Sequence, residues 1–120
     1  MRFQNIFKQK CTEMDKKIAI TCYTELKNIE EISYRDLLYS VDSLIFNLTN
    51  IGMKCGMRII IIPEYNIDTY IYTIALACMG ITIVALDKDT PMQLLEKEIT
   101  ELKPAAIIAS KKVYDINTVL

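Results

Sequence analysis

Between Ile59 and Ser110 the chain alternates apolar strand, amphipathic helix, apolar strand, capped helix and apolar strand. No other feature limits its fold so severely. Strands separated by single helices at this spacing form βαβ units and a parallel sheet. Crossovers in such units are right-handed, so helices are expected on both faces. The fold class read from the sequence is therefore α/β, a small doubly wound, mostly parallel sheet.

The individual elements follow from local chemistry. Met57 to Ile62 is a continuous apolar run, the mark of a strand buried on both faces, and Pro63 ends it. Asn66 is placed to cap a helix ending near Met79, with Ile67, Tyr70, Ile71, Ile74, Ala75 and Cys78 on one face. Gly80 breaks that helix, and Ile81 to Leu86 reads as the next buried strand. Asp87-Lys88-Asp89 is a polar turn. Thr90, Pro91 and Gln93 then have the form of a helix start, with the hydroxyl at the cap. Leu94, Leu95, Ile99 and Leu102 supply its apolar side, Pro104 its exit, and Ala105 to Ala109 a further buried strand.

Upstream, a short helix is expected from Met1 to about Thr12, with Phe3, Ile6 and Phe7 as its apolar contacts. Lys17 to Tyr23 reads as a strand, Thr24 to Glu31 as a polar connection, and Ile32 to Tyr34 as a short strand pairing back. Ser33 then caps a helix to about Asn50 whose buried stripe is Leu37, Val41, Leu44, Ile45 and Leu48, and Gly52 ends it. In domain terms, residues 1–16 are an N-terminal extension, 17–112 one α/β unit and 113–120 a tail with weak signals.

The order of motifs resembles the front end of the adenylate-forming, or AMP-binding, enzymes: the acyl-CoA ligases and the adenylation domains of nonribosomal peptide synthetases. Ile32-Ser33-Tyr34-Arg35-Asp36-Leu37-Leu38 looks like their first core motif, with Asp36 where glutamate is usual. Gly56-Met57-Arg58-Ile59-Ile60 resembles the Gly-Asp-Arg-Val strand entry, with Met57 in place of aspartate. Gly80, Leu86, Asp87 and Pro91 match the second core motif, while Met79, Ala85 and Lys88 depart from it. Lys103-Pro104 through Ser110 looks like the Lys-Pro-x-x-Ile-Ile-x-Ser segment. The resemblance spans roughly residues 18 to 112 and rests on scaffold motifs.

It implies an N-terminal subdomain of an ATP-dependent ligase that activates a carboxylic acid, an amino acid slightly before a fatty or aryl acid. A parent enzyme of this kind uses ATP and magnesium, held by a Ser/Thr/Gly-rich loop and later acidic and lysine residues. None of those segments occurs in these 120 residues, and the chain has only three glycines. No catalytic, cofactor-binding or metal-ligating residue is carried over. The expectation is a truncated or split ligase portion, inactive alone, whose partner is the remaining portion of the ligase or a second copy. The alternative is a free-standing, non-catalytic α/β interaction or binding module. A flavodoxin-like receiver is disfavoured, because the first strand has no acidic pair or phosphate loop after it.

Other chemistries find little support. The chain has no histidine, which removes histidine-based acid–base and nucleophilic catalysis. Cys11, Cys22, Cys55 and Cys78 form no Cys-x-x-Cys pair, so they read as reduced thiols of a cytoplasmic protein, although two disulfides are arithmetically possible. Glu30-Glu31 reads as a solvated pair, Asp87 and Asp89 as turn carboxylates, Cys78 as a buried thiol, and Tyr70 and Tyr72 as packing residues. A net charge of −1 with no basic stripe gives nucleic-acid binding no electrostatic basis. Met1 to Lys10 has no apolar run, so no signal peptide is expected. Thr69 to Leu86 is uncharged over a length near that of a membrane span. Its period changes at Gly80, so it reads as helix, cap and strand, and no membrane partner is expected. With 52% apolar and 24% charged residues, the chain is globular, and strands buried on both sides suggest an exposed apolar sheet face.

Overall fold

A computed structural model describes residues 2–24, 28–109 and 112–115. Met1, residues 25–27, Ser110 and Lys111, and the tail beyond Asp115 lie outside the described residues. The element order is α1 (Arg2–Glu13), β1 (Ile18–Tyr23), β2 (Ile29–Ser33), α2 (Tyr34–Asn50), β3 (Arg58–Ile62), α3 (Ile67–Cys78), β4 (Thr82–Ala85), α4 (Met92–Leu102), β5 (Ala106–Ala109) and β6 (Lys112–Asp115).

The main sheet has strand order β4-β3-β5-β6. β3 runs parallel to β4 on one side and to β5 on the other, and β6 is antiparallel to β5. The crossover from β3 to β4 steps one way along the sheet, and that from β4 to β5 steps back past β3. With one handedness, reversing direction places the two helices on opposite faces. The packing agrees. Ile59 and Ile61 of β3 pack with Leu76 of α3 and Leu48 of α2 on one face. Ile60 of β3 and Ile107 of β5 pack with Ile99 of α4 on the other. The central strand thus alternates its isoleucines between two cores, which is why it reads as an unbroken apolar run. The sheet is a doubly wound α/β one with helices on both faces, and among the described residues no broad face of it stands open.

A third cluster joins α2 and α3 to the N-terminal elements. Leu37, Val41, Ala75 and Cys78 are buried there, with Phe7, Ala19, Ile20 and Ile32 packed against them. α3 therefore buries two sides. The stripe legible in the sequence faces this cluster, whereas Leu76, with Tyr72 and Met79, faces the sheet. β1 and β2 form a separate antiparallel pair with a bulge near Ile18. β2 starts at Ile29, earlier than the sequence suggested. Thr24 closes the connection, its N–H and hydroxyl both donating to Asn28 O at 2.8 and 3.0 Å.

Two helices end alike. After α2, Gly52 at φ 98° donates to Thr49 O and Met53 donates to Leu48 O. After α3, Gly80 at φ 71° donates to Ala77 O and Ile81 donates to Leu76 O. Both are Schellman caps, and each carries the accompanying apolar contact, Leu48 with Met53 and Leu76 with Ile81, in the same core. At the amino end of the sheet Gly56 N–H donates to Gly80 O at 3.2 Å, tying the approach to β3 to the cap of α3.

Other sequence expectations need correction. Thr90 does not cap α4: its hydroxyl donates back to Asp87 O, and the cap position is Pro91, with no side-chain bond. β4 is not buried on both sides; it is an edge strand with Thr82 and Ala85 exposed. Leu94, assigned to the buried side of α4, is 44% exposed, and Phe3 and Ile6 of α1 are exposed while Cys11 carries the burial. Lys112–Asp115, where the sequence signals are weak, is a strand. No described helix is long and apolar enough to cross a membrane; the uncharged run divides into α3, Gly80 and β4.

Candidate functional site

In open α/β sheets, ligands lie beyond the carboxyl ends of the strands, where neighbouring connections leave toward opposite faces. In the order β4-β3-β5 the strand order reverses at β3, so that place is the carboxyl end of β3, flanked by the ends of β4 and β5. The loop Pro63–Asn66 leaves β3 for α3 on one face, and Leu86–Pro91 leaves β4 for α4 on the other.

The first loop is tightly tied. Asn66, the cap of α3, accepts from Thr69 N–H and Thr69 Oγ1 at 3.0 and 3.1 Å, and its amide donates to Glu64 Oε2 at 3.0 Å. Glu64 N–H donates to Thr69 Oγ1 at 3.1 Å. This network leaves Tyr65 92% exposed at the loop tip. Beneath it, a cavity of only about 10 Å³ lies between Asn66, Thr69, Tyr72 and the ends of β3 and β5. That volume suits about one water molecule. Burial, then the neighbouring Asp68 carboxylate, pushes the Tyr72 phenol above its ordinary range.

The second loop is an Asx turn. Asp89 N–H donates to Asp87 Oδ1 at 3.1 Å, and Thr90 N–H donates to Asp87 O at 3.0 Å. Asp87 is thus occupied in shaping the chain, as the turn reading of its carboxylate implied. Glu30 and Glu31 are neighbours on β2, so their side chains leave opposite faces of the hairpin and do not form a dyad. Tyr70 is 46% exposed, whereas Tyr72 packs against the main core. Cys11, Cys22 and Cys78 are buried free thiols, and Cys55 is an exposed one. Burial is the leading cause that raises all three buried thiols, helped by Asp42 at Cys11 and Cys78 and by Glu30 at Cys22. Burial and a raised pKa both make a thiol inert.

The described residues hold no group of three or more acidic, cysteine or histidine side chains able to bind a metal ion. One residue that motif reading passed over as scaffold has a definite task. Arg58 Nε donates to Leu102 O at 2.6 Å, fastening the entry of β3 to the last turn of α4. The strand-entry arginine is legible in the sequence, but its partner, 44 positions away, is not.

No protein-family model matches the sequence, and no curated protein matches it significantly. Solved structures do. The N-terminal subdomain of NpsA from Klebsiella oxytoca, in complex with 3-hydroxyanthranilyl-AMSN, superposes with a TM-score of 0.78 at 19% identity, over 96% of this chain and 27% of that one. CmiS6 gives 0.76 at 20% identity, over 95% and 34%. NpsA-ThdA, an artificially fused adenylation–PCP di-domain from Klebsiella oxytoca, gives 0.76 at 19% identity, over 88% and 20%. The chain thus spans between a fifth and about a third of each of these structures. The match covers up to 96% of the chain, which has the fold of the NpsA N-terminal subdomain.

Proposed function

We propose that this chain is the N-terminal portion of an ATP-dependent adenylate-forming ligase, acting in the activation of a carboxylic acid. The observation that carries the reading is the superposition over 96% of the chain on a subdomain of that kind, joined to motifs that occur in the same order in the sequence. An amino acid is the preferred substrate class, because Leu86-Asp87 with Thr90-Pro91 resembles the peptide-synthetase form of the second core motif. ATP and magnesium belong to the completed enzyme, and the partner is the remaining portion of the ligase. A cytoplasmic location accords with an ATP-consuming reaction and with free thiols.

In this reading the chain contributes scaffold: a sheet whose Arg58 clamp and tied β3–α3 loop give the rest of the enzyme a rigid flank. The 120 residues alone are expected to show no ATP–pyrophosphate exchange with a panel of amino, aryl and fatty acids. Exchange is expected once the chain is joined to, or co-expressed with, a portion carrying the phosphate loop. Exchange by the pure chain, or its absence from every completed form, would overturn the proposal.

A further inference from the structure

Beyond the ligase reading, and independently of it, the outer edge of β4 is left open. Thr82 N–H donates to Met57 O and Leu86 N–H donates to Ile61 O. Alternate residues of a strand turn their main-chain groups to opposite sides. Thr82, Val84 and Leu86 therefore face β3, while Ile83 and Ala85 aim their N–H and C=O groups outward. Among the described residues nothing pairs with that side.

Edge strands are ordinarily protected against pairing by a lysine, a proline or a bulge. β4 has none of these. Ile81-Thr82-Ile83-Val84-Ala85-Leu86 is uncharged and mostly β-branched, and its register with β3 is unbroken. The opposite edge of the sheet differs, because β6 contains Lys112 and Asp115.

The open edge is complementary to itself. Two copies of β4 can lie antiparallel about a two-fold axis through Val84. Each Ile83 then lies opposite Ala85 of the second copy, and such a pair exchanges both of its N–H···O bonds. The axis repeats the pair, so every outward group of the two residues is satisfied. Val84 meets Val84 and Thr82 meets Leu86, apolar and β-branched contacts of the kind that stabilise a sheet. A two-fold contact also closes on itself, whereas joining β4 to β6 of the next copy would leave a new edge at each step. Charge favours the same arrangement. The turn from Lys54 to Gly56 is tied to Gly80 at the amino end of β4, where Arg58 and Lys103 also stand, against Glu101. The carboxyl end of β4 leads into Asp87, Lys88 and Asp89. Antiparallel pairing brings the net positive end of one copy to the net negative end of the other.

We propose that this chain forms a two-fold dimer in which the β4 edges pair and join the two main sheets into one. Strands this short bury less than the roughly 1,200 Å² of a stable complex, so the dimer is weak and in exchange with monomer.

Sedimentation of the whole 120-residue chain, from micromolar to sub-millimolar concentration, reads the equilibrium directly. Ala85→Pro removes an outward N–H from each copy and touches no bond to β3, and it is expected to weaken association at least about tenfold. Ala85→Lys sets a charge on the same edge and is expected to weaken it too. Tyr65→Asp, on another element, is expected to leave it unchanged. Circular dichroism verifies that each variant keeps its fold. Hydrogen exchange reads the edge itself: the Ile83 and Ala85 amides are expected to gain protection as concentration rises, while those of Thr82 and Leu86 are protected throughout. In a Cys55→Ser background, Val84→Cys places two thiols at the two-fold axis and is expected to form a disulfide-linked dimer under a mild oxidant. Thr82→Cys places its thiols about 13 Å apart along the strands and is expected not to. A monomer at every concentration, association that survives both Ala85 variants, or equal cross-linking from Thr82→Cys and Val84→Cys would each overturn the proposal.

Discussion

Arg58 joins two elements that are far apart in the chain. Its Nε–H meets Leu102 O at the carboxyl end of α4, and α4 has no basic residue in its own last turn. Arg58→Ala is therefore expected to lose about 1 to 2 kcal/mol, the lower part of the range for a charged hydrogen bond because the residue is exposed. Urea denaturation checks this, and Arg58→Lys is expected to recover only part, since an ammonium cannot repeat the guanidinium geometry. Helix caps give a sharper contrast. Asn66→Ala removes an acceptor of two bonds and is expected to cost about 1 kcal/mol, while Thr90→Ala removes only a turn contact and is expected to cost less than about 0.5 kcal/mol. Both positions read as caps in the sequence. They differ because Pro91 holds the chain extended at the helix entrance, which turns the Thr90 hydroxyl back toward Asp87. That choice depends on the three-dimensional path of one proline, which residue spacing does not record.

At the scale of elements, α2 and α3 show how strongly paired end signals determine a helix. Ser33 and Gly52 bracket one, Asn66 and Gly80 the other, and all four residues stand where the sequence places them. Gly52→Ala is expected to destabilise the fold by about 1 to 2 kcal/mol in thermal or urea unfolding. The cause is backbone strain alone, because a Cβ there would meet no atom within 4 Å. What periodicity hides is the number of partners an element has. α3 reads as one-faced because Ile71, Ile74, Ala75 and Cys78 dominate its pattern, yet Leu76 is fully buried on another side. Thr82–Ala85 is mostly β-branched and looks like an interior strand, but only pairing partners distinguish interior from edge. β6 escaped detection for the opposite reason: Lys112, Tyr114 and Asp115 give it little apolar character, and its place is earned by pairing with β5.

For the whole molecule, the raised pKa values set the direction of its pH response. Cys11, Cys22, Cys78 and Tyr72 all bind their protons more tightly folded than unfolded, chiefly through burial. The folded state therefore holds more protons at alkaline pH, and stability falls as pH rises past the unfolded thiol value of about 8.5. Below that value all four groups are protonated in both states and contribute no slope. The urea midpoint is expected to decline between pH 8 and pH 10, and Cys11→Ala with Cys78→Ala to flatten the decline, whatever their cost at neutral pH.

The strand order β4-β3-β5-β6 also has a consequence for the ribosome. β3 can pair with β4 soon after both are made, but its other edge waits for β5, whose Ala106 pairs with Ile59. At ordinary elongation rates that wait is roughly 2 to 9 seconds. Through it, four consecutive isoleucines, Ile59 to Ile62, present an unpaired backbone edge in the emerging polypeptide. Central position in the sheet, which makes this strand the best-buried part of the finished molecule, makes it the most vulnerable part of the nascent one.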